Sequence, residues 1–134
     1  MTITLLHGDC TELLQTLADQ SVQTVITSPP SWRPRQYTAD PRAMGREPTI
    51  AEYVQALAGV FAECWRVLRA DGVLFLNLGD GYANDGKWGG ATGGKHAGGI
   101  HGTEGPGRSK VTTGLPPKSL IGMPWRVAFA LQDQ

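Results

Sequence analysis

The residues best suited to chemistry lie at positions 27–32, where Thr27-Ser28-Pro29-Pro30-Ser31-Trp32 follows a short apolar run. Ser28 offers a hydroxyl oxygen, and the next residue offers a backbone carbonyl whose position the proline ring restricts. Two such acceptors side by side can hold the hydrogens of an amine whose lone pair is delocalised into an aromatic ring. Holding them rotates and partly pyramidalises the amine, which frees the lone pair for attack. Trp32 could stack on such a ring. The alternative is purely structural: the two prolines end a strand.

Three short apolar runs predict the strands that would position this segment, at residues 3–6, 22–27 and 73–78. The third run is almost entirely apolar, which favours a strand buried on both faces of a parallel sheet. Helices predicted between the strands favour an open α/β sheet with right-handed crossovers. Ligands of such sheets bind at the carboxyl ends of the strands. Three segments are predicted there: Gly8-Asp9-Cys10, Ser28-Pro29-Pro30-Ser31 and Gly79-Asp80-Gly81.

The helices are predicted from capping residues and periodicity. An Asp-x-x-Glu spacing at residues 9–12 and a Thr-x-x-Glu spacing at residues 49–52 each open a helix. The second is predicted to run through Arg69 and to end at Ala70-Asp71-Gly72. A last helix follows Lys118, with Pro124 in its first turn. Apolar residues at helical spacing are expected in the core: Leu13, Leu14 and Leu17 in the first helix, and Tyr53, Leu57, Val60, Phe61, Cys64, Trp65, Val67 and Leu68 in the second.

The composition indicates a small protein without a membrane partner. The chain has 134 residues, of which 40% are hydrophobic, enough for the core of one compact domain. No apolar run approaches the roughly 20 residues of a membrane span, and the N-terminus does not resemble a signal peptide. We therefore expect a cytoplasmic protein. Cys10 and Cys64 are expected to be reduced thiols, and no spacing of cysteines and histidines predicts a metal site.

Residues 79–117 form a glycine-rich segment that holds thirteen of the 18 glycines, and a loop this long is expected to be mobile. Gly89 to Lys95 has the spacing G-x-x-x-x-G-K, but His96 stands where a phosphate-binding loop needs Ser or Thr. The net charge is zero, yet positive charge concentrates in residues 86–118 and in residues 31–50. These stretches either meet nucleic-acid phosphate or are ordinary solvated loops. The candidate phosphate contacts are Arg33, Arg35, Lys95, Arg108 and Lys110. Arg66 and Arg126 are predicted to be solvated helix residues.

A series of ordered segments carries a resemblance to a known family. Ser28-Pro29-Pro30 resembles motif IV, [D/N/S]-P-P-[Y/F/W], of DNA amino-methyltransferases. The other segments are similar to the permuted, β-class members and cover nearly everything except the glycine-rich loop. They are Leu6-His7-Gly8-Asp9-Cys10 through Leu17-Ala18-Asp19, Gly45-Arg46-Glu47-Pro48-Thr49 with Glu52-Tyr53-Val54 (G-x-E-P-T-x-x-E-Y-V), residues 66–72 (R-V-L-x-x-D-G), Asn77-Leu78-Gly79-Asp80 (N-L-G-D) and residues 118–128 (K-x-L-I-G-I-P-W-R-V-A).

The resemblance implies a partial Rossmann-like class I methyltransferase fold, with a mostly parallel open sheet flanked by helices. It implies transfer of a methyl group from S-adenosyl-L-methionine (AdoMet) to the exocyclic amine of a flipped DNA base, as in restriction-modification systems. Ser28 and Pro29 would hold the amine, and Pro30 would fix the turn. Asp9 and the backbone at Cys10 would contact the AdoMet adenine. Serine at the first motif position favours cytosine N4 over adenine N6.

Two departures from the family pattern bear on activity. Ser31 stands where the family has an aromatic residue, so Ser31 and Trp32 are the candidate target-base contacts, with Trp32 in the stacking role. The family's AdoMet signature F-x-G-x-G, which lies C-terminal to these segments in the permuted class, does not occur before Gln134. We expect residues 1–134 to be the catalytic part of a methyltransferase domain. The chain would be a fragment, the product of a decayed gene, or one part of a split enzyme completed by a C-terminal fragment. A homo-oligomer is a further possibility.

Two alternative functions stay open. The first is a truncated or split domain that is not catalytic without a partner. The second is methylation of a protein glutamine amide, which uses an N-P-P-Y motif on a planar nitrogen of the same kind. The missing Asn at position 28 argues against the second alternative.

Overall fold

The structure, a computed structural model, describes residues 2–32, 42–83 and 113–134. Its elements are α1 (Cys10–Gln15), β1 (Val22–Thr27), α2 (Ile50–Val67), β2 (Leu68–Leu76) and α3 (Met123–Gln132). The chain divides into two units, residues 1–79 with 123–134 and residues 80–122, and all five elements belong to the first. A small parallel sheet with helices agrees with the predicted α/β class. Within the described ranges, no helix combines the length and apolar character needed to cross a membrane.

The strands β1 and β2 pair in parallel, with Val25 opposite Leu74 and Ile26 opposite Phe75. The register shifts near the start of the pair, where β2 carries extra residues and forms a bulge. Gly72 lies in this irregular stretch. A Cβ atom on Gly72 would lie 2.9 Å from the Arg69 carbonyl oxygen, so the bulge has room only for glycine.

The long helix α2 begins where its capping box predicts. The Thr49 hydroxyl accepts a hydrogen bond from the Glu52 amide, and the Glu52 carboxylate accepts one from the Thr49 amide at 2.9 Å. Its buried stripe forms most of the core of the first unit, with Ile50, Tyr53, Leu57, Ala58, Phe61, Cys64 and Val67. Trp65 was predicted in this core, and that prediction is wrong: its side chain is 80% exposed.

The end of α2 also differs from the prediction. The helix stops at Val67, and Leu68 already has an extended backbone with φ −69° and ψ 138°. The strand β2 therefore starts at Leu68 and ends at Leu76, and Ala70-Asp71-Gly72 belongs to the strand. Leu68 pairs with Val22 of β1, so pairing with a distant strand overrides the helical periodicity of residues 68 and 69.

Two predictions about strands are wrong. Residues 3–6 are described and form no strand, and the side chains of Ile3 and Leu5 are 80% and 92% exposed. A strand needs a partner for its backbone groups, and in the described part of the chain β1 pairs only with β2. The strand β2 is not buried on both faces, because Phe75 is 57% exposed while Leu74 and Leu76 are half-buried.

The short helix α1 is capped by Asp9, as predicted, with the Thr11 amide donating to its carboxylate at 2.9 Å. The three leucines of its predicted stripe are half-buried rather than buried. Arg66 ties this helix to α2 by donating to the carbonyl oxygens of Leu14 (2.9 Å) and Leu17 (3.1 Å). It also pairs with the carboxylates of Asp19 and Glu63. The prediction of a merely solvated Arg66 is therefore wrong.

The last helix, α3, begins at Met123 and has Pro124 in its first turn, as predicted. It packs on α2 through buried Met123 and Val127, and Gln134 donates from its side chain to the Ala58 carbonyl at 3.0 Å.

The second unit is described at its two ends, where Tyr82 and Leu120 form an antiparallel bridge. The Ala83 amide donates to the Ser119 carbonyl, and the Ile121 amide donates to the Gly81 carbonyl, both at 2.8 Å. Residues 84–112, most of the predicted mobile loop, lie outside the described residues.

Candidate functional site

The segment Ser28-Pro29-Pro30-Ser31 leaves the carboxyl end of β1, as predicted. The Asn77 amide, just after β2, donates to the Thr27 carbonyl at 3.0 Å and joins the ends of the two strands. Farther along, a Cβ atom on Gly79 would lie 3.6 Å from the Ser31 hydroxyl oxygen. The segments that follow β1 and β2 therefore run side by side at the edge where parallel sheets bind ligands.

Tyr53 of α2 is hydrogen-bonded to the Ser-Pro-Pro-Ser segment. Its hydroxyl donates to the Pro30 carbonyl oxygen at 2.7 Å, and its side chain is 0% exposed. Burial, with a smaller contribution from the Glu47 charge, raises the pKa of Tyr53 to about 12. The phenol therefore remains a donor at physiological pH, and the Pro30 carbonyl is fixed.

A second support comes from Gly45, whose backbone lies against Ser31. Gly45 has φ +92°, and a Cβ atom there would lie 2.8 Å from the Ser31 carbonyl oxygen. Both the left-handed backbone and the close approach require glycine. The Gly45 amide donates to the Glu47 side chain at 2.9 Å, which fixes the turn of residues 45–47.

Trp32 is held by the same turn. Its indole N–H donates to the Glu47 carbonyl oxygen at 3.0 Å, and the residue is half-buried. This hydrogen bond anchors the indole to the turn of residues 45–47, at the end of the Ser-Pro-Pro-Ser segment.

The two predicted acceptors remain available. Ser28 is exposed and Pro29 is half-buried, and within the described ranges no hydrogen bond involves the Ser28 hydroxyl or the Pro29 carbonyl. The Pro30 carbonyl, in contrast, is occupied by Tyr53. The arrangement leaves one hydroxyl oxygen and one neighbouring carbonyl oxygen for a ligand.

The predicted cofactor contacts, Asp9 and Cys10, lie at the start of α1 and are both exposed. Hydrogen bonds from the side chain and backbone of Thr11 hold the pKa of Asp9 below its usual value, so its carboxylate stays charged. Because residues 3–6 form no strand, Asp9 and Cys10 sit at a helix start and not at a strand end. Arg42 reaches the same helix, with its guanidinium 3.9 Å from the Glu12 carboxylate.

The five predicted phosphate contacts cannot be placed in this site. Arg33 and Arg35 fall in residues 33–41, and Lys95, Arg108 and Lys110 fall in residues 84–112, all outside the described residues. In the parts of the chain that are described, no group of three or more His, Cys, Asp or Glu side chains could hold a metal ion.

Two contacts that support the candidate site are not predicted by the sequence analysis. The sequence places Tyr53 only in the core of α2 and Glu47 only in a family segment, whereas the structure shows hydrogen bonds from Tyr53 to the Pro30 carbonyl and from Trp32 to the Glu47 carbonyl. The signal that could have found them is the spacing of Gly45, Glu47 and Tyr53 around the Thr49 capping box, which brings the helix start beneath the Pro30 carbonyl.

Comparison with known proteins gives relatives of a single kind. The chain is 41% identical over 130 residues to the Type II methyltransferase M.XycI of Xanthomonas campestris pv. cyanopsidis, covering 97% of this chain and 42% of that protein. It is 38% identical over 130 residues to the Type II methyltransferase M.Cfr9I of Citrobacter freundii, with the same coverage. It is 40% identical over 133 residues to the Type II methyltransferase M.SfiI of Streptomyces fimbriatus, covering 94% of this chain and 26% of that protein.

These relatives confirm the predicted resemblance to methyltransferases, and the chain spans less than half the length of each of them. No family model and no solved structure matches the chain.

Proposed function

We propose that this chain is the target-base-binding part of an AdoMet-dependent DNA methyltransferase that modifies an exocyclic amine, with cytosine N4 favoured over adenine N6. The Type II methyltransferase relatives, matched over 97% of the chain, support the reaction class. One observation carries the assignment of the site. Tyr53 donates to the Pro30 carbonyl, whereas the Ser28 hydroxyl and the Pro29 carbonyl have no hydrogen-bond partner among the described residues. These two oxygens are therefore adjacent acceptors at the strand end.

The proposed role of these acceptors follows from the chemistry of the amine. An amine on a nucleobase is a poor nucleophile because its lone pair is shared with the ring. Hydrogen bonds from the amine to the Ser28 hydroxyl and the Pro29 carbonyl would turn its hydrogens out of the ring plane and direct the lone pair toward the methyl donor. Since Pro30 is already held by Tyr53, the acceptors are preorganised and little reorganisation is needed at the moment of reaction.

The proposed AdoMet contacts would meet one edge of the adenine. Asp9 supplies an exposed, charged carboxylate that can accept from an amino group. Cys10 is the first residue of α1, so its backbone N–H has no acceptor within the helix and can donate to a ring nitrogen. AdoMet, when bound, supplies an electrophilic methyl group. Asp9 and Cys10 would supply two contacts of the cofactor site, and the F-x-G-x-G signature of the family does not occur within these 134 residues.

The target base and the DNA would meet the neighbouring residues. Ser31 and Trp32 would contact the flipped base, with the Trp32 ring held in place by the Glu47 carbonyl. Arg33, Arg35, Lys95, Arg108 and Lys110 would meet DNA phosphate. We place this reaction in the cytoplasm, in a restriction-modification system.

A second candidate is a split or truncated domain that needs a partner before it can catalyse. The observation that favours it is coverage: the chain matches 42% of M.XycI and of M.Cfr9I. Methylation of protein glutamine gains no support from these relatives.

Labelled AdoMet and unmethylated DNA test the proposal. The chain is assayed alone and co-expressed with the part of M.XycI outside the matched region. Label is expected in DNA, and mass spectrometry of the hydrolysed DNA distinguishes N4-methylcytosine from N6-methyladenine. Activity only in the presence of the added part supports the split enzyme. No labelled DNA in either arm, or label on protein, contradicts a DNA methyltransferase.

A matched pair of serine variants tests the site itself. Ser28→Ala removes one acceptor and is expected to lower the rate of the active preparation by roughly 10²–10³-fold. Ser21→Ala removes a hydroxyl that donates to the Ala18 carbonyl, just before the other end of β1, and it is expected to keep the rate. Equal rates for Ser28→Ala and the unsubstituted chain would remove Ser28 from the site.

A further inference from the structure

Asn77 lies beside Ser28 at the carboxyl end of the sheet. Thr27 is opposite Leu76 in the parallel register, and the backbone amide of Asn77 donates to the Thr27 carbonyl at 3.0 Å. Continuing this register by one position puts Ser28 opposite Asn77. Because neighbouring strands lie about 5 Å apart, the two side chains leave adjacent backbone positions.

The side chains of Ser28 and Asn77 are on the same face of the sheet. Side chains alternate along a strand, so residues two positions apart share a face. Ile26 and Phe75 are in register and are 78% and 57% exposed. Ser28 and Asn77 come two positions later on their strands and are exposed as well, whereas Thr27, between Ile26 and Ser28, is half-buried. This face therefore ends in two polar side chains, at the edge where parallel sheets bind ligands.

The carboxamide of Asn77 is available to a ligand, since no hydrogen bond within the described ranges involves it. A carboxamide offers two N–H donors and one oxygen acceptor. The proposed roles of the Ser28 hydroxyl and the Pro29 carbonyl are to accept hydrogens, whereas Asn77 can donate one. The carboxyl edge of the sheet therefore presents two acceptors with a donor beside them.

We infer that Asn77 is a further target-base contact, whose carboxamide donates a hydrogen bond to the unprotonated ring nitrogen next to the amino group of the base. The inference rests on the proposed function. In cytosine this nitrogen is N3 and in adenine it is N1, and both belong to the edge by which flipped bases are read. A base whose amine meets Ser28 and Pro29 brings this nitrogen close to the amine's own binding site. Asn77 can meet it because it lies one strand away from Ser28 on the same face.

Titration of the ¹⁵N-labelled chain with 2′-deoxycytidine, followed by nuclear magnetic resonance, tests this contact. Asn77 and Asn84 are the two asparagines of the sequence, so the side-chain resonances that Asn77→Ala removes belong to Asn77. These resonances and the backbone amides of Ser28 and Ser31 are expected to shift. The analogue 3-deaza-2′-deoxycytidine, in which C–H replaces N3, is expected to bind roughly 3- to 10-fold more weakly, for the loss of one hydrogen bond. 2′-Deoxyadenosine and its 1-deaza analogue are compared in the same way.

Three variants show whether the difference between the nucleosides comes from Asn77. Asn77→Ala keeps the backbone bond to Thr27 but has no donor, so it is expected to bind 2′-deoxycytidine and the deaza analogue equally. Asn77→Asp presents only acceptors and is expected to weaken 2′-deoxycytidine at least as much as Asn77→Ala does. Gln55→Glu makes the same amide-to-carboxylate change at an exposed position of α2 and is expected to bind like the unsubstituted chain. Circular dichroism checks that each variant folds.

The inference is overturned if the Asn77 side-chain resonances do not shift, or if the unsubstituted chain binds each nucleoside and its deaza analogue equally. Equal weakening by Gln55→Glu and Asn77→Asp overturns it as well, and so does the absence of any shift with either nucleoside.

Labelling of DNA from AdoMet is an independent readout that separates this inference from the proposed function. Shifts at Asn77 that depend on the ring nitrogen, without labelled DNA, leave the base contact standing and contradict the methyltransferase. Labelled DNA with unshifted Asn77 resonances supports the methyltransferase and contradicts the base contact.

Discussion

Replacing Tyr53 with phenylalanine tests whether the hydrogen bond to Pro30 stabilises the Ser-Pro-Pro-Ser segment. The ring stays in the core, so only the hydroxyl and its 2.7 Å bond to the Pro30 carbonyl are lost. Leaving a buried acceptor unpaired costs about 1–3 kcal/mol. Pro30 is exposed as a residue, so water can reach the freed carbonyl. We therefore expect a loss near the lower limit, about 1 kcal/mol in the free energy of unfolding.

Urea unfolding at neutral pH measures this loss, with Tyr82→Phe as the control. Tyr82 is 70% exposed, so removal of its hydroxyl is expected to change the free energy of unfolding by less than about 0.5 kcal/mol. If Tyr53→Phe unfolds with the same free energy as the unsubstituted protein, the bond does not support the segment and the reasoning about preorganised acceptors fails.

The pH dependence of the free energy of unfolding, compared between the unsubstituted protein and Tyr53→Phe, is a second test. Burial, with help from the Glu47 charge, raises the pKa of Tyr53 from 10.0 to about 12. The fold therefore favours the neutral phenol. This contribution is complete below pH 10 and is lost as the pH rises from 10 toward 12, by roughly 2–3 kcal/mol in all. Tyr53→Phe has no such loss. The advantage of tyrosine should therefore vanish at about pH 11 and then reverse; a constant difference between the two proteins across this range would contradict the buried phenol.

Three further comparisons test other parts of the first unit by unfolding. Gly45→Ala is expected to destabilise the fold by about 1–3 kcal/mol, because Gly45 has a φ of +92° and a Cβ atom there would meet the Ser31 carbonyl. Gly59→Ala in α2, where a Cβ atom would have open space, should stabilise the fold by about 0.5–1 kcal/mol. Asp9 has a lowered pKa, so its contribution is present above pH 3.8 and lost as the pH falls below it; Asp9→Asn should keep the cap and flatten that dependence in unfolding measured against pH. Arg66→Lys cannot reproduce the contacts to two carbonyls and two carboxylates. It should lower the melting temperature more than Arg69→Lys, since Arg69 pairs with Asp71 and with no other residue that the structure describes. Equal effects within either pair would contradict the assigned contacts.

Features set by neighbouring residues were predictable from the sequence. The start of α2 depends on Thr49 and Glu52, three residues apart, and the structure shows the reciprocal bonds of that capping box. The end of β1 follows from Pro29 and Pro30, which cannot continue a strand. Asp9 as the cap of α1 is another local effect. In each case the signal and its consequence lie within one helical turn or one strand end.

Features that depend on distant partners were not predictable in the same way. Leu68 has the periodicity of α2 and nevertheless lies in β2, because its backbone pairs with Val22, 46 positions earlier. Phe75 sits in an apolar run that favours burial on both faces, but its exposure depends on what covers the sheet. Residues 3–6 have a strand-like composition and no partner strand. Periodicity reports which side chains are apolar and not whether a neighbour is present.

The support of the candidate site combines both kinds of information. A capping box fixes where α2 starts, and the position of Tyr53 one residue beyond Glu52 then determines that its hydroxyl meets the Pro30 carbonyl, 23 positions earlier. Gly45 and Glu47, just before the cap, contact Ser31 and Trp32 in turn. The local geometry of residues 45–53 is therefore set by their own sequence, and these residues support the segment that follows β1. We expect substitutions in residues 45–53 to change the positions of Ser28 and Pro29, although none of these residues is one of the two proposed acceptors.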